Sequence, residues 1–263
     1  MQSKTTVLTI AGSDSGGGAG IQSDLKTFQN YGVYGVTVIT AITSQNTKGV
    51  QNSFEVPAKH IKSQLNSVFS DFRIKAVKTG MLSSSKVIDA MYYIIKDKRN
   101  LKLVIDPVIY SKNGFTMLDN NGIKTLIKKL LPLSYIITPN LAEAEILSGI
   151  KIKTVEDVEV ACEIINDYGA KNVLIKGGHF SSSLGLPEGS DVLYSGRKFY
   201  IFPGKFVDTK HTHGIGCTLS AAITANLALG KSLETSILES KIYIQNKLKK
   251  LLKIGKGINP VEQ

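Results

Sequence analysis

Tryptophan is absent from the 263 residues, and cysteine occurs only at Cys162 and Cys217. Two thiols that far apart cannot supply a disulfide framework or a four-thiolate zinc site. Cys162 sits in an apolar helical pattern and is expected in the core, whereas Cys217 sits in a glycine-rich turn. No apolar run approaches the roughly eighteen residues of a membrane span. The N-terminal stretch MQSKTTVLTIAG reads as a first strand rather than a secretory signal, so a cytoplasmic protein is expected. Acidic residues are the minority, 21 against 32 Lys and Arg. The surplus lysines are scattered, as at Lys128-Lys129 and Lys247, Lys249, Lys250 and Lys253, without interleaved aromatics. Solvated helix faces, not a nucleic-acid surface, are the expected reading.

What the chain does have is a rhythm. Apolar β-branched runs at Thr6–Ala11, Gly35–Ala41, Ile74–Lys78, Lys102–Asp106, Tyr135–Thr138 and Asn172–Lys176 alternate with helical patterns. Ile61, Leu65, Val68 and Phe69 form one such stripe; Val87, Met91 and Ile94 form another. Strands alternating with helices predict a mostly parallel central sheet with helices on both faces, an α/β three-layer sandwich. A hairpin is expected at Asp191–Tyr194 and Lys198–Phe202 around Ser195-Gly196-Arg197. No repeat or long linker divides the chain, so residues 1–263 are expected to form one domain. The Ser-, Gly- and Pro-rich segment His179–Ser190 reads equally as a surface loop or as a cover over a ligand.

Four places carry candidate chemistry. In HTHGIGCTLSAAITANLALG, residues 211–230, Gly214 and Gly216 lead into a helix of small residues, and unpaired N–H groups at such a start attract phosphate. The run Ala11–Gly20 follows the first strand but matches neither a Walker A loop nor a dinucleotide fingerprint, which counts against both enzyme classes. Asp106 ends a strand, and Asn140 with Glu143 share a face of a helix start, either as a capping pair or as holders of Mg²⁺ through water. Lys176 ends another strand, where its ammonium could meet a nucleotide phosphate.

The ordered set LTIAGSDSGGGAGIQSDLKTF, ITAITSQNTKGVQ, VKTGML, VIDPV, TPNLAEAEILSG, VLIKGGH and THGIGCTLSAAI resembles the ribokinase superfamily. Within it the closest resemblance is to the hydroxymethylpyrimidine/phosphomethylpyrimidine kinases, over nearly the whole chain. The resemblance implies successive phosphorylation of a pyrimidine alcohol and its monophosphate in thiamin biosynthesis. It also implies MgATP as donor and a homodimer, and leaves the use of a monovalent cation open. It implies a pyrimidine pocket of Gly12, Asp24, Gln45, Met81 and Val108, and ATP contacts from Lys176, Asn140 and Gly214. Asp106 and Glu143 would serve Mg²⁺, and Gly214, Gly216 and Cys217 would be catalytic. A carboxamide at Gln45 offers an acceptor beside a donor, which matches an exocyclic amine beside a ring nitrogen. Cys217 at a helix start is expected to be a favoured thiolate and the general base. Ile215 and His211 depart from the family's usual threonine and asparagine, while His213 is expected to shape the turn. A pyridoxal kinase of the same branch is the rival reading, separated by Gln45; a non-catalytic nucleotide binder is the other.

Overall fold

A computed structural model describes residues 4–98, 100–111, 113–178, 182–204, 207, 209, 211–250 and 252–262. Six strands pair in parallel in the order β2 (Tyr34–Asn46), β1 (Thr6–Asp14), β4 (Ile74–Thr79), β5 (Lys102–Ile105), β6 (Ile136–Ile137), β7 (Asn172–Lys176). Antiparallel β3 (Gly49–Glu55) closes one edge, and β8 (Asp191–Ser195) with β9 (Lys198–Phe202) closes the other. This is the three-layer α/β sandwich that the resemblance implied.

The layers follow from the two-residue period of each strand. Leu8 and Ile10, Leu103 and Ile105, and Val173 and Ile175 enter one core with α2 (Ala58–Asp71), α3 (Ser85–Ile95) and α6 (Val155–Asp167). Their neighbours Val7, Val104 and Leu174 enter the cores on the other face, beneath α7 (Ile215–Ala228) and α8 (Leu233–Leu248), with α1 (Gly20–Asn30) beside them. Strands buried on both sides read as unbroken apolar runs, which is why they stand out in sequence. Cys162 is fully buried, as expected of a core residue.

Several strand boundaries differ from the sequence reading. β1 continues into the glycine run as far as Asp14, β2 runs on from Ala41 to Asn46, and Tyr135–Thr138 contracts to Ile136–Ile137. β3 has no apolar signature, because as an edge strand it leaves Gln51, Asn52 and Phe54 exposed. In the segment His179–Ser190, residues 179–181 lie outside the described residues, and Ser182–Leu184 form a 3-10 turn.

Candidate active site

A cavity of about 190 Å³ opens at the carboxyl edge of the parallel strands, where ligands of such sheets gather. Its walls come from the β1–α1 loop, the ends of β2, β4, β5 and β7, the start of α5 (Leu141–Ser148), and the turn before α7.

At one end lies the start of α7. Gly214 caps the helix with φ 80°, a left-handed conformation natural to glycine, and no side chain caps the first turn. The first turn of N–H groups, Ile215 to Cys217, therefore precedes the first intrahelical bond, from Thr218 N–H to the Gly214 carbonyl at 2.8 Å. Behind the turn, Lys176 Nζ meets Asp106 Oδ1 at 3.3 Å, and Ser220 Oγ donates to Asp106 Oδ2 at 3.3 Å. A Cβ on Gly216 would lie 3.5 Å from Lys176 Nζ and 3.7 Å from Asp106. Glycine there keeps open a cradle of N–H groups and one ammonium, suited to phosphate. Burial opposes the Lys176 charge, but Asp106 and Glu143 outweigh it and hold its pKa above the usual lysine range.

Asn140 and Glu143 both border the cavity, and their side chains are also committed to a capping box. Asn140 Oδ1 accepts the Glu143 N–H at 2.9 Å, and Glu143 Oε2 accepts the Asn140 N–H at 2.8 Å. Of the two sequence readings, the capping pair is therefore present in the unliganded geometry. Burial pushes the Glu143 carboxyl up to about 7, against the pull of Lys176. Its native form thus keeps a proton that the unfolded chain releases above pH 4.5, and stability is lost as pH rises through 7. Relative to Glu143→Gln, which cannot titrate but can still accept the Asn140 N–H, the nucleotide-free protein should lose about 3 kcal/mol over that interval. Urea unfolding of both proteins across the interval measures this, and parallel stability curves would contradict it.

No group of three metal-ligating side chains occurs among the described residues. Two carboxyl groups, Asp106 and Glu143, would suit a Mg²⁺ ion that keeps most of its water, and they would hold it beside the cavity.

The other end of the cavity is the acceptor side. Gly12, Met81 and Val108 line it, with Met81 Sδ lying 3.1 Å from where a Gly12 Cβ would stand. Gln45 projects from an irregularity at the end of β2. Its Oε1 lies 3.1 Å from Thr43 Oγ1 and its Nε2 lies 3.2 Å from His213 Nε2. His213 Nε2 is also 2.9 Å from Asp14 Oδ2, which accepts the N–H groups of Gly18 and Ala19. Burial opposes ionisation of Asp14, but His213 and the N–H groups of Gly16 and Ala19 outweigh it and hold the carboxyl below its usual range.

Two sequence expectations need correction. Asp24 does not border the cavity: it is fully buried, with both oxygens on Lys78 Nζ at 2.8 and 2.9 Å and with Thr9 Oγ1 at 2.5 Å. The parity of β4 turns Lys78 toward α1, so the aspartate is occupied by an ammonium instead of a substrate. Burial opposes the charge on Lys78, yet Asp24 holds its pKa above the usual lysine range. Cys217 does border the cavity, but its thiol is not a favoured thiolate. Burial pushes it up to about 11, with Asp106 and Asp24 adding to the rise and Lys78 opposing it. The helix start is outweighed by desolvation and two carboxyl groups.

Sequence reasoning missed Lys78, Thr43 and the C-terminal segment. There Ile258 lines the cavity, Ile258 N–H bonds the Thr47 carbonyl at 2.7 Å, and Val261 N–H bonds the His213 carbonyl at 3.2 Å.

A profile of the phosphomethylpyrimidine kinase family matches residues 14–262. A hydroxymethylpyrimidine/phosphomethylpyrimidine kinase of Haemophilus influenzae is 45% identical over 99% of this chain and 97% of its own length. A crystal structure of phosphomethylpyrimidine kinase from Clostridium difficile superposes with a TM-score of 0.81 at 46% identity, covering 92% of this chain and 99% of that one. A pyridoxal kinase from Staphylococcus aureus in complex with ADP superposes at 0.89 with 35% identity, over 99% and 94% of the two chains. Backbone similarity thus spans both kinds of kinase, while the profile over residues 14–262 and the 45% identity over nearly the whole chain decide the family: the chain belongs to the phosphomethylpyrimidine kinase family.

Proposed function

We propose that this one-domain protein transfers the terminal phosphoryl group of ATP to 4-amino-5-hydroxymethyl-2-methylpyrimidine and then to its monophosphate. The observation that carries the reading is one cavity lined both by Gln45 and by the uncapped α7 start, Lys176 and Asp106. Bound Mg²⁺ would neutralise phosphate charge, with Asp106 and Glu143 as the carboxylates near it. Lys176 and the N–H groups of Gly216 and Cys217 hold the transferring phosphoryl group where its charge spreads. Gly214 leaves the backbone room to approach it, and Asn140 stands beside the nucleotide phosphates.

In the reaction, the alcohol oxygen bonds to the γ-phosphorus while the bond to the ADP bridging oxygen breaks. The hydroxyl proton passes to Cys217 Sγ, acting through its minority thiolate. Met81 and Val108 flank the flat ring, and Gly12 leaves space beneath it. A kinase that draws on ATP belongs in the cytoplasm. A homodimer is supported by the edge hairpin, where Ile42 and Phe54 stand opposite each other, 53% and 63% exposed.

The competing alcohol is pyridoxal, given the fold shared with pyridoxal kinases. ADP release should show preference for the aminopyrimidine, and Gln45→Met should cut that preference by about tenfold or more, the worth of a lost polar pair. Preference for pyridoxal in the wild type would overturn the reading.

A further inference from the structure

We propose that Thr43 and His213 lock the Gln45 carboxamide with its nitrogen toward Thr43 and its oxygen toward His213, so that the pocket reads a ring edge in one sense only. The proposal rests on the aminopyrimidine reading of the acceptor site and concerns how that site selects its ring.

The orientation follows from which atoms carry protons. Thr43 Oγ1 carries one, and the Ser13 carbonyl, 3.0 Å away, can only accept. With that proton given to Ser13, the hydroxyl can only accept from Gln45, 3.1 Å away, and within a carboxamide only the nitrogen donates. At the other end, Asp14 Oδ2 can only accept while ionised, and it lies 2.9 Å from His213 Nε2. The Gly18 and Ala19 N–H groups on the same oxygen, with the Gly16 N–H on Oδ1 at 2.7 Å, favour that ionised form. His213 Nε2 therefore carries a proton and can meet only the carbonyl end of Gln45, 3.2 Å away. Both ends demand the same orientation. The carboxamide is turned over from the opposite assignment, in which a bare imidazole nitrogen would face a carboxylate; in the orientation proposed, the one His213 Nε2 proton is shared between Asp14 Oδ2 and the Gln45 oxygen. Oxygen and nitrogen are so similar in size that the exchange moves no heavy atom.

One lone pair on the oxygen and one N–H remain for a ligand, in a fixed order across the pocket. An exocyclic amine donates on the His213 side, and a ring nitrogen accepts on the Thr43 side. A 4-oxo ring with a protonated ring nitrogen presents the reverse order. To bind it, the amide must turn over and set donor against donor at His213.

The test is calorimetric binding of 4-amino-5-hydroxymethyl-2-methylpyrimidine and its 4-oxo analogue to the wild type and to Thr43→Val, which keeps side-chain shape and removes the Thr43 half of the lock while leaving the His213 contact. The wild type should favour the amine by more than about tenfold, and Thr43→Val should shrink that ratio by about tenfold, the worth of one hydrogen bond. An unchanged ratio would overturn the proposal, because a merely structural role would weaken both ligands alike. Nitrogen NMR of the unliganded wild type gives a reading independent of substrate identity and of the variant's folding: His213 Nε2 should be protonated at neutral pH, and a bare Nε2 would overturn the lock. Failure to bind either ring, with Nε2 protonated, would sink the substrate reading and with it the ring-reading half of the proposal.

Discussion

Cys217→Ala should lower kcat for the pyrimidine alcohol by about 10²–10⁴-fold, the range of a lost general base, while leaving the MgATP KM nearly unchanged. The pH profile carries more information than the loss. Because burial pushes the thiol up to about 11, only a small thiolate fraction exists near neutrality. Each unit of rise in pH toward that value multiplies the fraction tenfold, so wild-type kcat should climb about tenfold per unit between about pH 6 and 9. Cys217→Ala should be flat across the same interval. Phosphoryl transfer with a loose transition state asks little of a base, and a flat wild-type profile would reassign Cys217 to a positioning role. The measurement is single-turnover phosphorylation, so that product release does not mask the chemical step.

Lys78→Met should destabilise the fold by about 3–5 kcal/mol, the cost of stranding one member of a buried ion pair. Both side chains are fully inaccessible, and among the described residues Thr9 alone would remain hydrogen-bonded to the aspartate. The double variant Lys78→Met with Asp24→Leu should recover most of the loss, since no charge then remains in an apolar setting. Urea unfolding resolves the two cases, and a loss below about 1 kcal/mol in the single variant would show that the pair contributes little. Lys78 also lowers the Cys217 pKa, so the single variant should be slower as well as weaker.

The pair shows where sequence reading stops. Asp24 and Lys78 lie 54 positions apart and meet only because β1 and β4 are neighbours in the sheet. One signal was present: in Ile74–Thr79 the strand's period turns a lysine inward beside Gly80, and an inward lysine requires a carboxylate. Local features were legible. The Asn140–Glu143 spacing is a capping box because its geometry spans three residues, and the anion turn is legible because glycine, glycine and a small-residue helix stand in series. The strands Lys102–Ile105 and Asn172–Lys176 were legible from continuous burial, whereas half-exposed Gly49–Glu55 was not. The contact between Gln45 and His213, 168 positions apart, depends on the β2 end and the α7 turn converging on one cavity. The Cys217 environment was misjudged for the same reason, since the helix start is local but Asp106 and Asp24 reach it only through the fold.

If one cavity performs both phosphorylations of the aminopyrimidine, phosphorus NMR of the products formed from MgATP and 4-amino-5-hydroxymethyl-2-methylpyrimidine should show it. A phosphomonoester signal should give way to the paired signals of a diphosphate ester, with both steps lost in Lys176→Met. Accumulation of no pyrimidine phosphate, with pyridoxal phosphorylated under the same conditions, would contradict it.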